Sequence, residues 1–155
     1  MSVRLDEMEI RDFLAKGHTG ILTSLRADGW PVSLPIWYVV LDDRVYVRTP
    51  STSRKVGRMK GDDRVSFVVE SGKAWKELEA VVITGRAVVV EDETELARID
   101  EALGRKYAGY GTPKAVPKAT KKHYGGGSTV FRIDPVQPPL TWDNAKIRLR
   151  SKQDG

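Results

Sequence analysis

The chain has 155 residues and a formal net charge of +5, and its 40% hydrophobic and 30% charged residues are typical of one soluble globular domain spanning residues 1–155. Cysteine is absent, which excludes disulfides, metal–thiolate sites and thiol catalysis. The positive charge favours an anionic partner, which could be nucleic acid, acidic lipid or a phosphorylated small molecule.

The N-terminal segment, MSVRLDEMEIRDFL, mixes both charge signs and lacks the apolar core of a signal peptide. No apolar run approaches the roughly 20 residues that a membrane-spanning helix needs. A cytoplasmic location is therefore expected. The positive charge is uneven, because residues 105–122 carry six Lys or Arg and no acid.

Hydrophobic periodicity and turn residues divide the chain into six strands and a few helices. The predicted strands cover residues 20–25, 31–41, 44–49, 65–70, 78–91 and 129–133. Helices are predicted over residues 4–16, after Pro50, from Asp92 to about Tyr107, and over residues 117–123. Gly85 predicts a bulge or bend in the fifth strand, and the segment after the sixth is expected to be irregular. The pattern predicts a mainly β fold, a small antiparallel barrel with peripheral helices.

The most informative stretch covers residues 45–59, VYVRTPSTSRKVGRM. A strand turns at Pro50 into a short helix, and hydroxyls and cations crowd the first turn of that helix: Ser51, Thr52, Ser53, Arg54 and Lys55. A helix start offers unpaired N–H groups and a partial positive charge, which suits a bound phosphate. An ordinary Ser-capped helix with solvated basic residues explains the pattern equally well, so both interpretations stay open.

Pro35 lies inside an otherwise regular strand, VSLPIWYVV. Because proline donates no ladder hydrogen bond, this strand is either at an edge or locally bent. A bend would turn the backbone groups of Ile36 and Trp37 outward, where a flat heterocycle could contact them. An edge proline beside a core tryptophan is at least as good an explanation of the segment alone. Strand alternation places Ser33, Pro35 and Trp37 on one face.

Trp75 and Lys76 follow a Gly-Lys pair at a strand-to-strand turn. A tryptophan in a turn is costly to expose unless it packs on a ligand ring, on a partner subunit or on its own chain. Packing on its own chain is the simplest of these explanations.

No pattern for catalysis by the protein's own side chains is present. The sequence has no Ser-His-Asp arrangement, paired-carboxylate motif or P-loop, and His18 and His123 lack metal-ligand spacing. An enzyme with this sequence would therefore depend on a cofactor for its chemistry. We predict no metal site and assign no catalytic residue; solvent or a hydroxyl such as Tyr38 or Tyr110 could supply a proton.

Three segments in this order resemble the pyridoxamine 5'-phosphate oxidase-like family of split β-barrel flavin and deazaflavin oxidoreductases. They are GILTSLRADGWPVSLPIWYVV, VYVRTPSTSRKVGRMKGDDRVSFVVE and VVITGRAVVVED. The resemblance implies a six-stranded split barrel like that of FMN-binding proteins, in a homodimer with cofactors in the interface grooves. Residues 136–144 do not align with the Arg-rich substrate-reading segment of true pyridoxamine phosphate oxidases, which argues against that substrate.

The resemblance also implies which residues bind the cofactor. Those assigned to the phosphate are Arg48, Thr49, Ser53, Arg54 and Lys55, and Val56 of the same motif is counted with them. The ring would contact Ser33, Pro35, Ile36 and Trp37. Trp75 and Lys76 would approach the ring from the adjoining subunit.

Coenzyme F420, the deazaflavin, is predicted ahead of FMN as the cofactor. Its longer anionic tail requires a longer basic groove, which Arg54, Arg58, Lys60 and the basic run at 105–122 could supply. The predicted reaction is hydride transfer to a small organic acceptor. An FMN-dependent pyridoxamine phosphate oxidase-like enzyme, a cofactor carrier without turnover and a nucleic-acid-binding barrel remain alternatives. The mostly aliphatic strands argue against nucleic acid.

Overall fold

A computed structural model of the chain describes residues 2–111 and 117–149. Its helices are α1 (Glu7–Lys16), α2 (Arg54–Gly61), α3 (Glu93–Lys106) and α4 (Lys118–Gly125). Its strands are β1 (Thr19–Leu25), β2 (Pro31–Leu41), β3 (Arg44–Pro50), β4 (Arg64–Ser71), β5 (Glu79–Val89), β6 (Ser128–Pro135) and β7 (Leu140–Asp143). Single 3₁₀ turns cover Trp75–Glu77 and Asn144–Lys146.

Six antiparallel strands close into a barrel in the order β4, β1, β2, β3, β6, β5 and back to β4. This confirms the predicted fold class. The seventh strand, β7, pairs with the first half of β5 and corrects the expectation of an irregular segment after β6. The sequence hides β7 because it is short and follows two prolines, which are usual in irregular segments.

The barrel interior is filled by one cluster of aliphatic and aromatic side chains from all six strands, with Leu14 from α1 and Met59 from α2. Tyr38, Phe67 and Phe131 are its largest fully buried members. A second cluster lies outside the barrel, where Ile99 and Leu103 of α3 pack over β2, β3 and β6. Burying each such side chain contributes about 1.5–3 kcal/mol, so α3 is firmly attached to the barrel wall.

Three helices begin where a side chain caps the unpaired N–H groups of the first turn. Asp6 forms a reciprocal capping box with Glu9 at α1. Asp92, where the sequence predicted that this helix begins, accepts from the N–H of Glu95 at 2.8 Å and caps α3. Ser53 caps α2 by accepting from the N–H of Lys55 at 3.3 Å. These caps fix where α2 and α3 start relative to the strands before them.

Strand β2 changes partner along its length, and this opens the barrel wall. Its residues 31–37 pair only with β1, and residues 38–41 pair only with β3. On β3, residues 44–47 pair with β2, whereas residues 48–50 pair only with β6. The two strands therefore separate before Tyr38 in β2 and after Val47 in β3, and each leaves a free edge facing the gap.

Gly85 does not form the predicted bulge, because β5 keeps its register with β4 and β6 through this position. A Cβ added at Gly85 would lie 2.4 Å from the carbonyl oxygen of Asp134. The glycine is needed for close approach of the β6 backbone, which is the other common reason for glycine in a strand.

Part of the basic run at 105–122, residues 112–116, lies outside the described residues. Among the described helices, none has the length and apolar content required to cross a membrane.

Candidate functional site

A cleft of about 550 Å³ lies in the gap between the diverging strands. Strand β2 supplies Pro35, Ile36 and Trp37, and β3 supplies Arg48, Thr49 and Pro50. The remaining lining residues are Thr19, Lys55, Tyr110, Gly111 and Thr120. Six predicted cofactor-binding residues, distant in sequence, thus meet at one place: Pro35, Ile36, Trp37, Arg48, Thr49 and Lys55.

The β3–α2 end of the cleft carries two cations, Arg48 and Lys55, of which Lys55 has no ion-pair partner among the described residues. Lys55 is half-buried, and within residues 2–111 and 117–149 no carboxylate forms an ion pair with it. Burial, with a smaller contribution from the nearby Arg58 guanidinium, lowers the pKa of the Lys55 ammonium. A negatively charged ligand would stabilise the ammonium and offset both effects.

Thr49 is the most unusual polar group in the cleft. Thr49 is only 2% exposed, and its Oγ1 has no hydrogen-bond partner among the described residues. Leaving a buried hydroxyl unpaired costs about 1–3 kcal/mol. Because Thr49 lines the same cleft as Lys55 and Arg48, its hydroxyl is suited to donating a hydrogen bond to an oxygen atom of a ligand.

Arg48 lines the same cleft and forms an ion pair with Asp100 of α3, at 2.8 Å between Nη1 and Oδ1. Both side chains are substantially exposed, at 40% and 55%. A pair of this kind contributes at most about 1 kcal/mol, so an anionic ligand can compete with Asp100 for the guanidinium.

Pro35 lies in the half of β2 that has β1 on one side and the cleft on the other, opposite Ile21 in the register. The structure therefore supports the edge-strand alternative for this proline. Next to it, Ile36 is buried in the barrel core while also lining the cleft. Ser33 is exposed farther along the strand, and its hydroxyl pairs with that of Thr23 at 2.7 Å.

Trp37 belongs to an aromatic cluster that the sequence analysis did not find. Its ring stacks on Tyr107 with centroids 4.3 Å apart and planes 4° apart. His18 makes edge contacts with Trp37, Tyr107 and Tyr110, at centroid distances of 6.1, 5.2 and 4.8 Å. Such contacts hold the indole in one orientation on the wall of the cleft.

The Tyr107 hydroxyl bridges the backbones of β2 and the residue before β1, just past the last β1–β2 pair, Thr19 and Trp37. It accepts from the N–H of Tyr38 at 2.9 Å and donates to the carbonyl of His18 at 2.6 Å. Beside it, Lys106 Nζ donates to the carbonyl of Tyr38 at 3.0 Å and lies 3.6 Å from the centre of the Tyr38 ring. Burial lowers the pKa of Lys106 to about 8.

Several predicted residues do not line the cleft. The Val56 side chain is buried in the barrel core and does not line the cleft, and its assignment to the cofactor stays a prediction. Arg54 is exposed at the first position of α2. Tyr38 cannot act as a proton donor to a ligand, since its buried hydroxyl donates to the carbonyl of Leu14 at 2.6 Å and burial raises its pKa.

Trp75 and Lys76 lie away from the cleft of the same chain. Trp75 is 55% exposed, and its carbonyl accepts from Asn144 Nδ2 at 2.6 Å. Lys76 Nζ donates to the carbonyl of Ile147. The 3₁₀ turn that carries them is therefore tied to the segment after β7, with the indole facing outward. Packing on its own chain, the simplest explanation from sequence, leaves half of this indole exposed.

The contact of His18 with Tyr107, and the place of Tyr107 and Lys106 beside Tyr38, were missed because these segments are close only in the folded chain. One signal was available at the end of α3, where LGRKYAGYG places Tyr107 and Tyr110 three residues apart between glycines. Aromatic residues next to a helix end often belong to a binding wall, since loops near rigid elements carry function.

The sequence matches the pyridoxamine 5'-phosphate oxidase family over residues 7–137. The chain belongs to this family. The match spans the four helices and the six strands of the barrel, and it includes every residue that lines the cleft. No curated protein matches the sequence.

Solved structures share the fold of this family member over nearly its full length. A conserved hypothetical protein from Mycobacterium tuberculosis has 27% identity and a TM-score of 0.80, covering 100% of this chain and 96% of its own. An FAD-binding protein from Mycobacterium smegmatis has 20% identity and a TM-score of 0.65, with coverage of 90% and 98%. A heme storage protein from Vibrio cholerae has 18% identity and a TM-score of 0.68, with coverage of 92% and 96%.

Proposed function

We propose that the protein binds the deazaflavin coenzyme F420 in the cleft between β2 and β3 and transfers a hydride from it to a small organic acceptor. The observation that carries this proposal is the combination at the β3–α2 end of the cleft. An unpaired buried hydroxyl, Thr49, lies with a half-buried ammonium, Lys55, that has no carboxylate partner in the described chain. Both features fit a phosphate group.

The chain's own residues would bind and orient the cofactor. Lys55 and Thr49 offer a charged donor and a hydroxyl donor to the phosphate, Arg48 adds positive charge to the wall of the cleft, and the Ser53 cap holds the first turn of α2 in place. The free backbone edge of β2 at Pro35, Ile36 and Trp37 offers carbonyl and N–H groups to a flat ring. When bound, the cofactor supplies the hydride, and the acceptor takes up that hydride and a proton from solvent.

A second cation favours a cofactor with a longer anionic tail over FMN. Arg58 is half-buried, and its Nε donates to the buried Ser24 hydroxyl at 2.9 Å. Within the described residues it has no carboxylate partner, and it lies close enough to Lys55 to lower the pKa of that lysine. Two neighbouring cations that form no ion pair with a carboxylate of the described chain favour a ligand with more than one negative group. FMN remains the second candidate because one structural relative is an FAD-binding protein.

The proposal includes a homodimer in which Trp75 and Lys76 reach the cofactor of the adjoining subunit. An exposed apolar patch on the 3₁₀ turn and β7 supports it: Trp75, Leu78, Leu140 and Trp142 are 55, 40, 66 and 48% exposed. Patches of large apolar side chains on soluble proteins often mark interfaces. Sedimentation of the wild type and of Trp142→Glu tests this part, and a monomeric wild type would contradict it.

Titration of the purified protein with coenzyme F420 and with FMN, followed by absorbance and fluorescence, tests the cofactor. We expect a saturable quench with tighter binding of F420. Lys55→Ala should weaken binding by about 1.5–3 kcal/mol, the value of a hydrogen bond to a charged group. Lys16→Ala, an exposed change on α1 that does not line the cleft, should leave the affinity unchanged and so tests how far the loss is specific to the cleft. An unchanged affinity in Lys55→Ala would contradict the phosphate assignment.

Two further measurements separate the alternative classes. Turnover with a panel of quinones, tetrapyrroles and nitroaromatic compounds distinguishes an enzyme from a carrier, because a carrier binds the cofactor without reducing any acceptor. Retention on DNA that falls with added salt, without any quench by a flavin-type ligand, would instead support the nucleic-acid-binding barrel.

A further inference from the structure

A smaller pocket of about 230 Å³ adjoins the main cleft. Its lining residues are Trp37, Arg48, Leu103, Gly104, Tyr107 and Gly111. Three of these, Trp37, Arg48 and Gly111, also line the main cleft. Because the two spaces share these walls, a molecule in the smaller pocket would lie next to a ligand in the larger one.

The walls of this pocket suit a flat apolar molecule. The Trp37–Tyr107 stack provides extended π surface with a fixed orientation, since its planes differ by only 4°. Leu103 adds an aliphatic surface, and its side chain is held in the packed layer between α3 and the barrel. Gly104 contributes no side chain, so the pocket extends up to the helix backbone.

One cation stands at the junction of the two spaces. Arg48 lines both, and its ion-pair partner Asp100 is more than half exposed. Exchanging a solvated partner for a ligand carboxylate costs little, and a carboxylate can form two parallel hydrogen bonds with a guanidinium. The pocket therefore combines π surface with a single exchangeable positive charge.

We propose that this pocket is the acceptor subsite and that it takes planar aromatic anions of one or two rings, with the anionic group on Arg48. The volume corresponds to about eight water molecules at roughly 30 Å³ each, which limits the ligand to that size. This inference rests on the proposed function for its meaning as an acceptor site. The binding itself depends only on this chain's residues and can be measured without cofactor.

Gly104 allows the pocket to be filled without disturbing the fold. It lies inside α3, and no atom lies within 4 Å of a Cβ built on it. Glycine is unfavourable within a helix, so a side chain there does not weaken the helix. Gly104→Phe should occupy the pocket, Gly104→Ala should leave most of it open, and Ala97→Phe places the same ring on an exposed part of α3 that does not line the pocket.

The probe is 2-naphthoate, titrated into the cofactor-free protein by calorimetry and by quenching of tryptophan fluorescence. We expect saturable binding that Gly104→Phe weakens at least about tenfold, whereas Gly104→Ala and Ala97→Phe change it less than about twofold. No saturable binding by the wild type, or equal binding by Gly104→Phe, would overturn the proposal.

The charge on Arg48 is tested by changes of opposite sign. Arg48→Gln should weaken 2-naphthoate binding roughly tenfold or more and leave the neutral 2-naphthalenemethanol unaffected. Asp100→Asn removes the competing carboxylate and should tighten 2-naphthoate binding. If Asp100→Asn weakens it, or if the neutral probe binds as well as the anion to the wild type, the assignment of Arg48 is wrong.

Coenzyme F420 titration of Gly104→Phe keeps this proposal separate from the proposed function. The variant should bind the cofactor like the wild type while losing the naphthoate. Cofactor binding without naphthoate binding by the wild type would refute the acceptor subsite alone. Naphthoate binding with neither F420 nor FMN binding would refute the proposed function alone, and the pocket would then be a separate aromatic-anion site.

Discussion

Strands β2 and β3 are hydrogen-bonded to each other over one half of their length and separated over the other half. From Tyr38 onward the strands are hydrogen-bonded to each other, and Tyr38 and Val47, paired in the register, are fully buried. Before Tyr38 the strands separate, and the same two segments expose Trp37 and Arg48 to a cleft. The paired half holds the barrel together, and the open half gains free backbone edges and unpaired polar groups.

This difference shows how a small barrel can carry a site at little cost to its stability. The open half is flanked by β1 and β6, which keep their own pairings, so the gap is held open by complete ladders on both sides. Stability and binding should therefore respond to different residues. The changes below test that separation, from the largest expected effect to the smallest.

Phe131→Ala should give the largest loss of stability. Phe131 is fully buried and lies opposite Val47 in the paired half. Removing a buried phenyl ring costs about 3–5 kcal/mol through lost burial and the cavity left behind. Urea unfolding measures the change, with Trp37→Ala as the comparison in the open half. A larger loss for Trp37→Ala than for Phe131→Ala would mean that the cleft, not the paired half, holds the barrel together.

Tyr107→Phe tests the junction where the two halves meet. The variant keeps the ring stacked on Trp37 but leaves the Tyr38 N–H and the His18 carbonyl without the hydroxyl that bridges them. A buried N–H left unpaired costs about 1–3 kcal/mol. Tyr46→Phe is the control, because its hydroxyl donates to the part-exposed Glu95 and to no other residue in the described part of the chain. Equal losses in the two variants would show that the bridge has no special role.

The sequence predicts the paired half of the β2–β3 region more completely than it predicts the open half and its cleft. Strand pairing and the barrel follow from alternation and turn residues, because these signals are local. The cleft was located through Pro35 and the 45–59 stretch, which mark the edge of β2 and the cap of α2. The roles of Tyr107 and Lys106 could not be predicted, since contacts between residues about seventy positions apart in sequence bring the C-terminal end of α3 to Tyr38.

Thr49→Val should increase the stability of the protein and weaken its binding of coenzyme F420. The Thr49 hydroxyl is buried without a partner among the described residues, so replacing it with a methyl group should raise the free energy of unfolding by about 1 kcal/mol. The same change should weaken binding of coenzyme F420, because the phosphate loses a donor. Thr23→Val is the control, since that hydroxyl is paired with Ser33 and its loss should not stabilise. If Thr49→Val lowers stability, the hydroxyl has a partner in the folded chain.

The smallest expected effect is a pH dependence that originates at Lys106. Burial lowers its pKa from 10.5 to about 8, so between pH 8 and about 10 the unfolded chain holds a proton that the folded chain has released. The free energy of unfolding should therefore rise with pH across this window. Above pH 10 the raised pKa values of Tyr38 and Tyr107 act in the opposite direction, because the folded state then retains protons that the unfolded state loses.

Two variants isolate this contribution at the boundary between the halves. Lys106→Met and Lys106→Arg should both flatten the rise between pH 8 and 10, since neither side chain titrates there, although only the arginine keeps a cation beside the Tyr38 carbonyl. Urea unfolding at intervals of half a pH unit measures the slope. A rise that persists unchanged in both variants would have to come from another lysine, with Lys55, whose pKa is also lowered, as the next to replace. The pH dependence would then originate at the cleft, which Lys55 lines, and not at the junction of the two halves, where Lys106 lies.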